Sequence, residues 1–156
     1  MAVRHRAGVR ERTLGPPEVA RVLLMEDDVA ARLTLQAVLK ASGYAVDSAA
    51  SAPEAMDKLE KGPYDLVLCG MGEDTRDECR RVIGHARAQD YKPATAYLTA
   101  SGGEGKRPKS GRLLIETQEV PALLTKIADL LADRAAGRER RNMRRRRSLD
   151  LLGVAN

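Results

Sequence analysis

RVLLMEDD, residues 21–28, gives the clearest indication of the fold. RVLL at 21–24 is a short apolar run of the kind that forms a buried strand, and the acidic residues 26–28 follow after Met25. Residues 29–42 then place apolar side chains on one helical face, with Gly43 at the stop position. The sequence therefore predicts a buried strand, an acidic turn and an amphipathic helix.

The same unit repeats along the chain. Residues 44–48 are expected to form a second short strand, and Ser51 and Glu54 have the spacing of a capping box for a helix that ends before Gly62. DLVLC at 65–69 is apolar without alternation, which is typical of a strand covered by helices on both faces. A central third strand is expected there.

The second half continues the alternation, with one weak segment. Thr75 and Glu78 offer another capping box, and ATAYLTA at 94–100 is the fourth strand. SGGEGKRPKSG at 101–111 is rich in glycine and has no apolar face, so a fourth helix is expected to be shortened or absent. RLLI at 112–115 is the fifth strand, and a last helix is expected to end before or near Gly137.

Strands that alternate with helices imply a parallel sheet with right-handed crossovers. We therefore predict a flavodoxin-like α/β fold, in which a five-stranded parallel sheet lies between two helical layers in residues 20–134. In that fold the functional site lies at the carboxyl ends of the first and third strands, where the strand order reverses.

Three stretches lie at those strand ends, namely Glu26 and Asp27, YDLVLCG at 64–70 and LTA at 98–100. Together they resemble the response-regulator receiver domain. The resemblance implies that the acidic pair binds Mg²⁺, that an Asp ending the third strand accepts phosphate, and that a Thr or Ser ending the fourth strand orients it. It also implies a Lys at the end of the fifth strand and an aromatic residue three positions before it. Thr99 matches the hydroxyl.

Three positions depart from the receiver pattern. Gly70 stands where the phosphate-accepting Asp is expected, Glu116 where the Lys is expected, and Leu113 where the aromatic residue is expected. Phosphoryl transfer needs an in-line nucleophile and positive charge around the phosphoryl group. Gly70 offers no nucleophile, and Glu116 would add negative charge. The sequence therefore predicts a degenerate receiver that is not phosphorylated.

The acidic side chains at the strand ends are also candidate ligands of a metal ion. No cofactor is required in this interpretation, but Glu26, Asp27 and Glu116 would form a cluster of oxygen ligands if they converge, and hard cations prefer such clusters. Weak Mg²⁺ or Ca²⁺ binding would then survive without chemistry. In the alternative, Glu116 points to solvent or its pKa rises to relieve the repulsion.

The net charge of +5 is unevenly distributed. An N-terminal arm, residues 1–19, is basic and expected to be flexible, the receiver-like body is net acidic, and residues 135–156 form an arginine-rich tail. The tail is either solvated or binds nucleic acid, an acidic partner or, less in keeping with its composition, a membrane surface. The candidate binding residues are Arg138, Arg140, Arg141, Arg144, Arg145, Arg146 and Arg147.

These features favour a stand-alone, atypical receiver of two-component signalling that binds a protein partner without a phosphorylation switch. The alternative is a nucleic-acid-binding protein that uses the receiver fold as a scaffold or as the surface of a homodimer. We expect no enzymatic activity, because no nucleophile, base and orienting group converge. No apolar run is long enough for a membrane span and no signal peptide is evident, so a cytoplasmic location is expected.

Overall fold

A parallel β-sheet forms the centre of the molecule in the computed structural model, which describes residues 19–70, 72, 74–99, 114–116 and 119–151. Its strand order is β2-β1-β3-β4-β5. The strands are β1 (Arg21–Met25), β2 (Ala45–Ala49), β3 (Leu66–Gly70), β4 (Ala94–Thr99) and β5 (Leu114–Glu116). The helices of the described residues are α1 (Val29–Ala41), α2 (Ala52–Lys61), α3 (Arg76–Arg87) and α4 (Val120–Leu151).

The sheet separates two apolar layers, which explains why β1 and β3 lack a polar alternation. Val22 and Leu24 point into one layer with α1 and α4, whereas Leu23 and Met25 point into the other with α2 and α3. Each of these four side chains is fully buried. Burial on both faces stabilises a strand of this kind through the removal of apolar surface from water. The flavodoxin-like α/β fold is confirmed.

Local signals that end or begin helices were confirmed in two places. Gly43 follows α1 with a φ of 100°, a left-handed conformation that glycine adopts without steric cost. Ser51 is the N-cap of α2, where its hydroxyl accepts a hydrogen bond of 3.3 Å from the Glu54 amide. The Glu54 carboxylate in turn accepts one from the amide of Ala50.

Two local predictions were wrong. Thr75 is the N-cap residue of α3, but its side chain makes no capping hydrogen bond, because the hydroxyl is engaged by the preceding turn instead. The last helix does not end near Gly137 but continues to Leu151. Glycine in a helix interior costs only about 1 kcal/mol relative to alanine, and the alanines and arginines around it are strong helix formers.

Other predictions fall outside the described residues. These are the N-terminal arm up to residue 18, the segment 101–111 with its shortened fourth helix, and Leu113. The fourth helix of the described part is the C-terminal one, which is long. None of the helices in the described ranges is long and apolar enough to cross a membrane.

Candidate functional site

The carboxyl ends of β1, β3 and β4 meet at one edge of the sheet. Met25 pairs with Cys69 and Gly70 pairs with Leu98, so that Glu26, Gly70 and Thr99 come together. They line a cleft of about 500 Å³. The full lining is Glu26, Asp27, Asp28, Ala30, Ala31, Thr34, Leu35, Gly70, Gly72, Leu98 and Thr99. The structure thus brings together four of the predicted site residues, Asp27 included.

The acidic turn has divided roles. The Asp28 carboxylate accepts a 2.8 Å hydrogen bond from the Ala31 amide and so caps α1. The guanidinium of Arg32 donates to the Glu26 carbonyl oxygen at 2.8 Å, which fixes the turn from the helix side. Asp27 is exposed at the rim. Of the three acidic side chains, only Glu26 points inward at Gly70.

The side chain of Glu26 occupies the space that a side chain at residue 70 would need. A Cβ built on Gly70 would overlap Oε1 of Glu26 and lie 2.7 Å from its Cδ. The other oxygen, Oε2, accepts a hydrogen bond of 3.1 Å from the Asp28 amide. The absence of a side chain at Gly70 and the inward position of the Glu26 carboxylate are therefore coupled.

The environment of Glu26 opposes its charge. Removal from water raises the pKa of the Glu26 carboxyl, and the nearby Asp27 and Asp28 charges raise it further, although the Asp28 amide hydrogen bond acts in the opposite direction. Desolvation is the largest of these effects. The cleft therefore contains a carboxylate that is held in place by one backbone donor and surrounded by like charge.

The backbone of Gly70 is tied to α3. Its carbonyl oxygen accepts hydrogen bonds from the Cys79 thiol at 3.0 Å and from the Thr75 hydroxyl at 3.4 Å. The same hydroxyl accepts a 3.0 Å hydrogen bond from the Gly72 amide. The spacing of Thr75 and Glu78 concealed this role, because the sequence pattern is the same whether Thr75 caps the helix or braces the turn.

The two cysteines, Cys69 and Cys79, are buried, free thiols. Hydrogen bonding with Cys79, together with burial, raises the pKa of the Cys69 thiol well above its usual range. A thiol with a raised pKa is a poor nucleophile, because the thiolate is the reactive form. The Cys69 thiol therefore does not supply the nucleophile that Gly70 lacks.

Thr99 and Glu116 are adjacent in the sheet. They are register partners on β4 and β5, and Thr99 is half-buried at the cleft. The side chain of Glu116 lies outside the described part, as does Leu113. The predicted convergence of Glu116 with Glu26 and Asp27 therefore remains a prediction.

The described residues do not fit the Mg²⁺ centre that the receiver fold implies. Mg²⁺ needs a near-octahedral set of oxygen ligands. Gly70 contributes no side-chain oxygen, and the Glu26 carboxylate occupies the position where the Cβ of a side chain at residue 70 would lie. Within the ranges that the structure describes, no group of three His, Cys, Asp or Glu side chains is placed to hold a metal ion.

Sequence reasoning missed two features outside the cleft. Val29 and Leu33, one turn apart on α1, are 57% and 58% exposed. Arg134 on α4 forms a partly buried ion pair with Asp65 at 2.8 Å. The exposed apolar pair could have been found from the sequence, because both residues fall outside the core face of α1. The ion pair depends on a contact between residues distant in sequence.

Known proteins similar to this chain agree with the fold. No protein-family model matches. The transcriptional regulatory protein ResD of Bacillus subtilis is 31% identical over 90 residues, which are 56% of this chain and 35% of ResD. The chain therefore spans about a third of the length of that relative.

Solved structures give the same result. The chemotaxis response regulator CheY4 of Vibrio cholerae is 22% identical with a TM-score of 0.61, and the match covers 72% of this chain and 99% of CheY4. The response regulator TrrA of Thermotoga maritima, solved with Mg²⁺ and BeF, is 24% identical with a TM-score of 0.60 over 72% and 99% of the two chains. The described residues therefore have the CheY-like receiver fold of response regulators.

Proposed function

We propose that this chain is an atypical receiver domain of two-component signalling, which acts by binding a protein partner and does not accept phosphate. The observation that carries the proposal is the Glu26 carboxylate in the side-chain space of Gly70. A phosphoryl group entering the cleft would meet a negative charge and find no nucleophile in line with it. Phosphoryl transfer depends on positioning and on positive charge at the transition state, so both requirements fail.

The surface of α1 beside the cleft supports the binding role. The exposed Val29 and Leu33 lie on one face of the helix, directly after the acidic turn. Single exposed apolar residues are normal on a protein surface, but a pair one turn apart gives a partner apolar area to bury. The adjacent Asp27 would favour a partner with a basic rim, because complementary charge guides association.

In this proposal the domain catalyses no reaction, requires no cofactor and acts in the cytoplasm. The domain would signal by binding its partner, rather than by a change of its phosphorylation state. The contact surface of the partner should be apolar at the centre and basic at the edge.

Site-specific photo-crosslinking tests the proposal. A photoreactive amino acid replaces Leu33 on α1 or, as the control, Asp129 on the exposed side of α4, and the crosslinked products from cells are identified by mass spectrometry. We expect a signalling protein to crosslink at position 33 and not at 129, with equal yield in the presence and absence of acetyl phosphate. Equal crosslinking at both positions, or a yield that depends on acetyl phosphate, would contradict the proposal.

A further inference from the structure

The second half of α4 extends beyond the domain. The guanidinium of Arg134 donates to the Asp65 carboxylate at 2.8 Å and to the carbonyl oxygens of Tyr91 and Lys92 at 2.7 and 3.0 Å. Asp65 directly precedes β3, and Lys92 lies two residues before β4. At Arg134 the helix has therefore reached the amino-terminal edge of the sheet, opposite the cleft. With a rise of about 1.5 Å per residue, residues 135–151 extend roughly 25 Å farther.

The projecting segment carries its arginines mostly on one side. Successive side chains of a helix are rotated by about 100° around its axis. The side of α4 that carries Ile127 and Arg134 faces the domain, and the same side farther along the helix carries a line of arginines, Arg138, Arg141 and Arg145. A neighbouring line of arginines lies beside it. We name these two lines the arginine face, which consists of Arg138, Arg140, Arg141, Arg144, Arg145 and Arg147. Glu139 and Met143 fall on the other side of the helix.

The charge of the arginine face is not neutralised within the described part of the chain. All six of its side chains are exposed, and no ion pair in the described ranges includes any of them. Like charges four residues apart, such as Arg141 and Arg145, repel each other on a helix. A cleft of about 330 Å³ at the start of the segment is lined by Lys92, Arg134 and Arg141 together with Asp133. The surface would therefore gain most from a partner with dense negative charge.

We propose that the arginine face binds the phosphate backbone of double-stranded DNA. The six arginines of this face lie within residues 138–147, which span about 15 Å of helix, or roughly one positive charge per 2.5 Å. The DNA duplex carries one phosphate per about 1.7 Å of its axis, so the two charge densities are of the same order. Guanidinium groups also suit phosphate geometry, because they donate two parallel hydrogen bonds.

The shape of the segment favours DNA over other polyanions. A single helix is about 10–12 Å thick, and the major groove of B-DNA is about 12 Å wide. The major groove of an RNA duplex is too narrow for side chains to enter. No aromatic residue is present in 134–151 to stack on bases, so the binding should be independent of base sequence.

Two other occupants are disfavoured by the same residues. A second copy of α4 in a coiled coil would need apolar residues along the seam, but the seam would contain Arg138, Arg141 and Arg145. A membrane surface would need a broad apolar side opposite the basic one, and Glu139 and Asn142 interrupt that side.

Fluorescence anisotropy of the full chain with a random-sequence DNA duplex tests the proposal. If about five arginines contact phosphates, the logarithm of the affinity falls with the logarithm of salt concentration with a slope of about −4.5, and a fourfold increase in salt weakens binding roughly 500-fold. The triple variant Arg138→Ala/Arg141→Ala/Arg145→Ala should reduce the slope to about −1.8. The matched control removes the same charge from exposed positions of α3, as Arg76→Ala/Arg81→Ala/Arg87→Ala.

The salt dependence of the two triple variants distinguishes DNA binding by the arginine face from binding elsewhere. Steep salt dependence that the α4 triple variant reduces and the α3 triple variant leaves unchanged would support the proposal. Absence of binding at low salt, or equal effects of the two triple variants, would overturn it. Tighter binding of duplex RNA or of polyglutamate than of DNA at the same salt would also overturn it, because the arginine face would then serve another polyanion. Thermal unfolding of both variants serves as the check that they fold.

Discussion

Gly70→Ala is the smallest change that tests the coupling between Gly70 and Glu26. The new methyl group cannot coexist with the present position of the Glu26 carboxylate, whose Cδ lies 2.7 Å from the Cβ position. The carboxylate is the end of a flexible side chain at an open cleft, so it can turn outward. We therefore expect the substitution to displace Glu26 toward solvent rather than to disrupt β3.

The energetic cost should be small, because opposing effects nearly cancel. The displaced carboxylate loses its hydrogen bond from the Asp28 amide, whose net worth is about 1 kcal/mol. Alanine restores about 0.4–1 kcal/mol by restricting the unfolded chain, since Gly70 does not have a positive φ. The free energy of unfolding should therefore change by less than about 1 kcal/mol. The pKa of Glu26 should fall toward its ordinary value, because desolvation is the main cause of its rise.

Carbon-detected NMR titration of the Glu26 carboxyl, combined with urea unfolding, measures both effects. Gly84→Ala is the matched control, because Gly84 lies on the exposed side of α3 and a Cβ there meets no atom within 4 Å. A lowered Glu26 pKa in Gly70→Ala, but not in the control, would support the coupling. An unchanged Glu26 pKa, or a loss of more than about 3 kcal/mol of unfolding free energy, which marks overpacking, would contradict the coupling between Gly70 and Glu26.

Three further predictions concern charge at the site and along α4. Because the pKa of Glu26 is raised in the fold, the stability that its protonated form provides is complete below about pH 4.5 and is lost as the pH rises through the folded pKa. Glu26→Gln should therefore raise the thermal midpoint at neutral pH and have less effect in acid, whereas Glu139→Gln on the exposed extension should change neither. Arg134→Ala breaks an ion pair with Asp65 whose side chains are 10% and 33% exposed. It should lower the free energy of unfolding in urea by about 3 kcal/mol, whereas Arg138→Ala, at an exposed position, should lower it by less than about 0.5 kcal/mol. Equal losses in the two variants would contradict the role of Arg134 as the anchor of α4. Calorimetric titration with Mg²⁺ should give flat traces for the native chain and for Glu116→Gln, because Gly70 supplies no ligand. A saturable heat of binding in the native chain that is absent in Glu116→Gln would instead indicate a site of three carboxylates.

The fold could be predicted from the sequence because its signals are local. The unbroken apolar run of β3 indicated two covered faces, and its residues do alternate between two buried layers. Gly43 marked the end of α1 for a conformational reason that acts at a single residue. The positions of Glu26, Gly70 and Thr99 at one edge followed from the topology of a parallel sheet.

The parts that were missed depend on contacts distant in sequence or on competition between local effects. The occupation of the Gly70 side-chain space by Glu26 is a matter of side-chain direction across two strands, which spacing does not show. The role of Thr75 was decided by the Gly72 amide, which competed with the helix end for the same hydroxyl. The continuation of α4 past Gly137 reflects the helix propensity of its neighbours.

Intact-protein mass spectrometry after incubation with acetyl phosphate and Mg²⁺ shows whether the cleft can accept a phosphoryl group. With glycine at residue 70 and the Glu26 carboxylate over it, we expect the native chain to keep its unmodified mass throughout. A stoichiometric adduct of one phosphoryl group, mapped to an acidic side chain of the cleft, would contradict it.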